Sequence, residues 1–392
     1  LRNPTVSAAL ACAFWENKEE TRFAMTRRAA PEDRGELLPS VEERRAAGHV
    51  GARAGTGLPA TRIIRMPAPG AGDISLGILE QRCGRADPRL PPVLLVHGAT
   101  IGATLFDLPL PGYSLMSQLA SAGRPVYAVD IRGFGHSLNG MVMASPPQAH
   151  APFPRLSEAV SDVAAAVDMI CEREGAAAVD LVGFSWGTVT SSRYAGEHSE
   201  RVARLVLYAP LYGEVNAMWL DRIADPESHD RLPRSIGAYR FITRADLIAR
   251  WDGDLPAADP GLYREDGLPE TLFEALSGLD PGTRSNGVPA FRCPAGALVD
   301  LLSIFNGRSL FDPLKLTMPT LLVRGDDDTT STDSDARRLL SVIAASEKHY
   351  RVITPGSHFL LLEKSRARLY EQLDEFLRPL QHPTSREARA EP

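Results

Sequence analysis

Five short, almost uninterrupted apolar runs punctuate this chain and leave it few folds to choose from: PVLLVHG (92–98), PVYAVD (125–130), AVDLVGFS (178–185), RLVLYAP (204–210) and PTLLVRG (319–325). A strand with one wet face alternates apolar and polar residues, whereas a continuous run is expected of a strand covered on both faces. Segments with helical spacing lie between and after these runs. YSLMSQLASAG (113–123) ends on Gly, and SEAVSDVAAAVDMICEREG (157–175) has Ser157 as its expected N-cap and Gly175 at its end. SDARRLLSVIAAS (334–346), HYRVI (349–353) and LEKSRARLYEQLDEFLRPL (362–380) continue as helix, strand and helix. Strands alternating with helices imply an α/β architecture, a mostly parallel central sheet with helices on both faces. Ahead of it, TRIIRMP (61–67) and ISLGILEQRC (74–83), separated by the turn-forming PAPGAGD, predict an antiparallel hairpin.

At 392 residues, 44% apolar and 23% charged, the chain has ample material for one large core with an inserted subdomain. A net charge of −6 gives no reason to expect nucleic acid or an anionic membrane as partner, and Arg27-Arg28, Arg44-Arg45 and Arg337-Arg338 read as solvated surface. The cysteines Cys12, Cys83, Cys171 and Cys293 form no C-x-x-C pair, which argues against a zinc site and fits a reducing, cytoplasmic setting. No run approaches the roughly 18 apolar residues of a membrane span. Residues 5–15 (TVSAALACAFW) are too poor in flanking basic residues for a signal core and read as an upstream extension, with Met25 as a start. Residues 1–60, rich in Arg, Glu, Ala, Gly and Pro, are expected to be a flexible extension, and 381–392 a disordered tail. Residues 61–210 and 306–380 form the expected core. The stretch 211–305 has a different texture, with Trp219, Trp251, Tyr239, Phe241 and many prolines, and reads as an insertion above the sheet.

The sharpest chemical signal is G-F-S-W-G at 183–187, between a buried strand and a helix. A Ser on such a turn projects its hydroxyl above the sheet edge from a strained backbone. Gly183 and Gly187 leave room for neighbouring elements, and the next helix aims its first N–H groups where an oxyanion would form. Among nine histidines, His358 stands in a Gly/Pro-flanked loop between a strand and the final helix. His97 and His136 read as structural. RGDDD offers Asp326, Asp327 and Asp328 as adjacent candidate acids, and Glu214 follows the preceding strand.

Four segments taken in order resemble the α/β-hydrolase superfamily over about residues 61–380: VLLVHG (93–98), VDIRGFGHS (129–137), GFSWG and GSHFLLLEK (356–364), the last with Ser357 where the family commonly has Gly. The resemblance implies a serine esterase or lipase-like enzyme with a cap. Ser185 would be the nucleophile, His358 the base, and Asp328 the acid by the family's G-x-x-D spacing from Gly325. Asp327, Asp326 and Glu214 stay open as alternatives. The N–H groups of Ala99 and Trp186 would form the oxyanion hole. Asp130 and Arg132 would brace loops.

The expected reaction is hydrolysis of a small-molecule carboxylic ester or lactone through an acyl-enzyme, with no metal or organic cofactor. The same triad could also serve a carbon–carbon bond hydrolase, amidase, acyltransferase or perhydrolase, and a non-catalytic ligand-binding protein is the reading from another class. Residues 211–305 are expected to cap an apolar pocket with Trp219 and Trp251 in its lining.

Overall fold

The computed structural model describes residues 60–84, 87–256 and 259–378. The expected extension, Ala60 apart, and the expected tail lie outside them.

The predicted hairpin is β1 (Arg62–Ala68) and β2 (Ala71–Gln81), paired antiparallel. The five apolar runs form β3 (Val93–Val96), β4 (Val126–Asp130), β5 (Val179–Phe184), β6 (Val202–Tyr208) and β10 (Thr320–Gly325), with β11 (Lys348–Ile353) after them. They join the hairpin in one eight-stranded sheet of order β1-β2-β4-β3-β5-β6-β10-β11. All pairings from β4 to β11 are parallel; only those of β2 are antiparallel. Every residue of β3, β4 and β5 is buried, as continuous runs covered on both faces require.

Helices α1 (Leu115–Ser121), α2 (Leu156–Glu174), α3 (Trp186–Glu197), α8 (Asp333–Val342) and α9 (Arg366–Leu377) connect or follow these strands. α1 starts on Ser114, whose hydroxyl accepts from Ser117 N–H at 2.9 Å. α2 ends on Gly175 in the left-handed region, as expected, but begins earlier than expected: Arg155 is its N-cap and Ser157 lies inside the first turn. The Glu158 carboxylate accepts from Arg155 N–H at 2.8 Å and does the capping that Ser157 was assigned.

Residues 211–305 leave after β6 and return at a neighbouring point, where Asn216 N–H donates to Phe305 C=O at 3.1 Å. Between lie α4 (Ala217–Ile223), β7 (Tyr239–Thr243), α5 (Arg244–Asp252), α6 (Leu268–Gly278), β8 (Arg284–Ser285), β9 (Val288–Pro294) and α7 (Gly296–Phe305). β7, β9 and β8 make a small antiparallel sheet. It lies against the excursion after β4: Ala238 N–H donates to Pro147 C=O at 2.8 Å, and Gly296 N–H to Phe153 C=O at 3.0 Å. Gly296 approaches so closely that a Cβ there would stand 1.9 Å from Pro154 C=O. Among the described residues no helix is long and apolar enough to cross a membrane.

Candidate active site

Ser185 links β5 to α3 with φ 55° and ψ −120°, a conformation L-residues rarely adopt. The glycines around it show why it holds. A Cβ on Gly187 would lie 2.3 Å from Val96 C=O, and one on Gly183 would lie 2.4 Å from Gly187 C=O. Helix, elbow and neighbouring strand therefore meet backbone to backbone, and Ser185 N–H is tied to Tyr208 C=O at 3.0 Å.

His358 follows β11 and is buried, like Ser185 and Asp328. Its Nε2 is 3.0 Å from Ser185 Oγ, and its Nδ1 is 2.8 Å from Asp328 Oδ2. A carboxylate accepts only, so the proton sits on Nδ1 and Nε2 accepts from the Ser185 hydroxyl. Phe184 packs on the imidazole with ring centroids 5.0 Å apart, and Tyr208 donates to His358 C=O at 3.2 Å.

The adjacent acids divide their partners. Asp328 Oδ1 accepts from Thr330 N–H and Ser331 N–H, both at 2.8 Å, leaving Oδ2 for His358. Asp327 accepts from Tyr263 hydroxyl at 2.6 Å, and Asp326 from Gly356 N–H at 3.0 Å. Glu214 accepts from Ser334 hydroxyl at 2.6 Å. Of these four candidates, Asp328 is the one brought to the imidazole.

Ala99 follows Gly98, where a Cβ would come within 3.1 Å of Ser185 Cβ; the loop thus passes directly beside Ser185. Trp186 is the first residue of α3, where an N–H has no intrahelical acceptor. Asp130 carries the bracing role expected of it, accepting from Ala103 N–H at 2.7 Å and His136 N–H at 2.9 Å. His97 Nδ1 is 2.7 Å from Gly98 C=O and its Nε2 accepts from Ile131 N–H at 3.1 Å. Complete burial pushes its pKa down, so it is a neutral structural imidazole. Arg132 pairs with buried Asp162.

Trp219 and Trp251 both have their rings engaged by protein. Trp251 is fully buried, stacks on Phe359 at 4.9 Å and donates Nε1–H to Glu363 at 3.1 Å. Trp219 stacks on Phe305 at 5.6 Å and donates to Thr330 Oγ1 at 3.1 Å. Neither lines the shallow cleft that opens beside the Ala99 loop, bounded by Phe134, Leu276, Leu279, Phe291, Asp280 and Arg292 among others.

Sequence reasoning missed a ring of supporting residues, because nothing in their spacing announces them. Trp186 Nε1–H donates to Asp300 of α7 at 3.1 Å, and Arg155 holds the same carboxylate. Glu363 accepts from Ser357 N–H at 2.9 Å, the residue before His358, and burial raises its pKa. Cys293 of β9 reaches Ala99 C=O at 3.6 Å. Residues of 211–305 therefore touch the elbow, the Ala99 loop and, through Glu363, the histidine loop. Among the described residues no group of three or more His, Cys, Asp or Glu is placed to hold a metal ion.

A family model described as alpha/beta hydrolase fold matches residues 91–365, well over half of the chain. A poly(3-hydroxyalkanoate) depolymerase of Ectopseudomonas oleovorans is 25% identical over 280 residues, 70% of this chain and 80% of the relative. Triacylglycerol lipase 1 of Arabidopsis thaliana is 26% identical over 180 residues, 43% of this chain, and the match spans only 44% of the lipase. Among solved structures, a bromoperoxidase from Bacillus anthracis superposes with TM-score 0.54 at 18% identity, covering 81% of this chain and 99% of that one. A meta-cleavage product hydrolase from Pseudomonas fluorescens gives TM-score 0.52 at 17% identity, covering 81% and 97%. At such identities these structures speak for the fold alone.

Proposed function

The chain belongs to the α/β-hydrolase fold family, and on that footing we propose that it is a serine hydrolase of carboxylic esters, with Ser185, His358 and Asp328 as its triad. The observation that carries this reading is the unbroken relay from Ser185 Oγ through the imidazole to Asp328, starting from a strained elbow.

Each step has its group. Nε2 takes the Ser185 proton as Oγ attacks the ester carbonyl carbon. Asp328 stabilises the imidazolium without itself being protonated. The carbonyl oxygen, now an anion, is held by the N–H groups of Ala99 and Trp186; losing one such donor costs about 100- to 1000-fold in rate. The imidazolium returns its proton to the departing alkoxide, and the alcohol leaves. Water then gives a proton to Nε2 as it attacks the acyl carbonyl, and the imidazolium returns that proton to Ser185 Oγ as the acid leaves.

An ester is favoured over the other bonds this triad could break by the two sequence relatives, named for triacylglycerol and for poly(3-hydroxyalkanoate), both carboxylic esters. Residues 211–305 act as the cap. The cleft beside the Ala99 loop receives the larger substituent against Leu276, Leu279 and Phe291, with the Asp280–Arg292 pair also in its lining, rather than against Trp219 and Trp251.

A panel of p-nitrophenyl esters from acetate to laurate, with lactones, amides and a vinylogous β-diketone, checks the reading against Ser185→Ala. Ester turnover that vanishes in the variant is expected. Leu276→Ala and Phe291→Ala should change relative rates along the ester series by several-fold while sparing acetate. Turnover of the diketone or amides alone would replace the ester assignment.

A further inference from the structure

The loop carrying Asp328 is gripped from two sides. From the sheet, Arg324 donates to the main-chain carbonyls of Asp328 at 2.7 Å and Ser331 at 2.6 Å. From 211–305, the grip is made by side chains. α5 opens with a reciprocal cap: Asp246 N–H donates to Thr243 Oγ1 at 3.2 Å and Thr243 N–H to Asp246 Oδ2 at 2.9 Å. That places Arg250 in its last turn and Asp254 just beyond. Arg250 donates to Thr330 Oγ1 at 3.1 Å and pairs with Asp254. Asp254 Oδ1 accepts from Thr329 Oγ1 at 3.2 Å and from Arg222 at 3.3 Å. Arg250 is held over the Trp219 ring at 4.6 Å. Thr330 in turn gives the N–H that fixes Asp328 Oδ1.

We propose that Asp254 is a positioning residue for the reaction at Ser185: with Arg250 it fixes Thr329 and Thr330, and so the aim of the Asp328 carboxylate at His358. The inference rests on the triad reading above. A carboxylate fully withdrawn from water is a poor source of stability, because desolvation offsets most of the ion-pair attraction. Its partners Arg250 and Arg222 keep 24% and 33% of their side chains exposed, whereas the Asp254 side chain has none. Burial works to raise its carboxyl, yet Arg250 above all, then His358 and Arg222, hold it below the ordinary Asp range.

Replacing Asp254 by Asn keeps the shape and removes the charge. The amide oxygen can still accept from Thr329, but the NH2 group faces Arg250, and two guanidiniums are left without their counter-charge. The Asp254→Asn variant should lose about 10- to 100-fold in kcat with KM little changed, the size of effect that small misplacement of catalytic groups produces. Asp254→Glu should recover part of that loss.

The test measures p-nitrophenyl butyrate kinetics and the rate of Ser185 phosphonylation by a fluorophosphonate from pH 5 to 9, with circular dichroism to show that each variant is folded. Thr329→Val, which leaves the Arg250–Asp254–Arg222 pairs in place, serves as a second variant should Asp254→Asn not fold; it should lower kcat in the same direction. A wild-type protein labelled at Ser185 whose folded Asp254→Asn or Thr329→Val variant keeps wild-type kcat would overturn this inference and leave the triad reading standing. A wild-type protein not labelled at Ser185 would overturn both.

Discussion

Three neighbouring aspartates with one backbone run between them have three different tasks, and single substitutions separate them. Asp328→Asn places an amide against Nδ1–H and disfavours the tautomer that accepts from Ser185, so kcat should fall about 10⁴-fold. Asp327→Asn changes only the acceptor of the Tyr263 hydroxyl and should leave kcat within about threefold. Steady-state kinetics on the two folded variants decide between them, and equal losses would mean that the acid is misassigned. Much at this scale was legible in the sequence. The Gly-x-Ser-x-Gly turn announces itself because only Gly tolerates carbonyl groups 2.3–2.4 Å from a Cβ position. The choice among Asp326, Asp327 and Asp328 did not follow from residue type, since all three are alike until the loop is folded. Asp254, Asp300 and Glu363 had no signal of their own: each works through a partner more than 70 residues away or through a main-chain N–H.

At the scale of elements, the buried strands were readable because a sheet covered on both faces demands continuous apolar runs. The N-cap of α2 was misread because a Ser in an exposed first turn looks like a cap, while Glu158 supplies the acceptor from inside the helix. The sheet of β7, β8 and β9 escaped because β7 pairs with residues some 50 positions later, beyond any local pattern. One break in the apolar texture of β5, Asp180, pairs with Arg124 at 3.0 Å, both side chains fully buried. Arg124 also donates to Leu377 C=O at the end of α9 at 2.8 Å. Arg124→Met should therefore destabilise by about 3–5 kcal/mol by leaving a buried carboxylate unpaired, and adding Asp180→Leu should recover most of that loss. Urea unfolding measures both, and a harmless single variant would refute the assignment. Asp254 makes a pH-dependent contribution between elements. Because its folded pKa is depressed, the stability it provides is complete above the unfolded value of about 3.9 and is lost as pH falls through the lower folded value. The unfolding midpoint of Asp254→Asn should accordingly fall less steeply than wild type below about pH 4; parallel curves would contradict this.

Over the whole molecule, residues 211–305 were legible as a change of texture and as an interruption of the strand–helix alternation, but not as a support for the site. Their apolar residues suggested a pocket lining. The structure instead sets Trp251 against Phe359 and Glu363, Asp300 against the Trp186 indole, and Cys293 against the Ala99 loop. A segment tied to so many of the loops around Ser185 would, on the proposed reading, bear on the alignment of the triad. Everything proposed for this chain nevertheless turns on one hydroxyl. The most direct measurement is reaction of the intact protein with a fluorophosphonate, followed by peptide mass spectrometry and parallel assay of p-nitrophenyl butyrate hydrolysis. One adduct at Ser185, absent from Ser185→Ala, much slower in His358→Ala and accompanied by loss of hydrolysis in both, is the expected result; an adduct on another serine, or hydrolysis undiminished in Ser185→Ala, would contradict it.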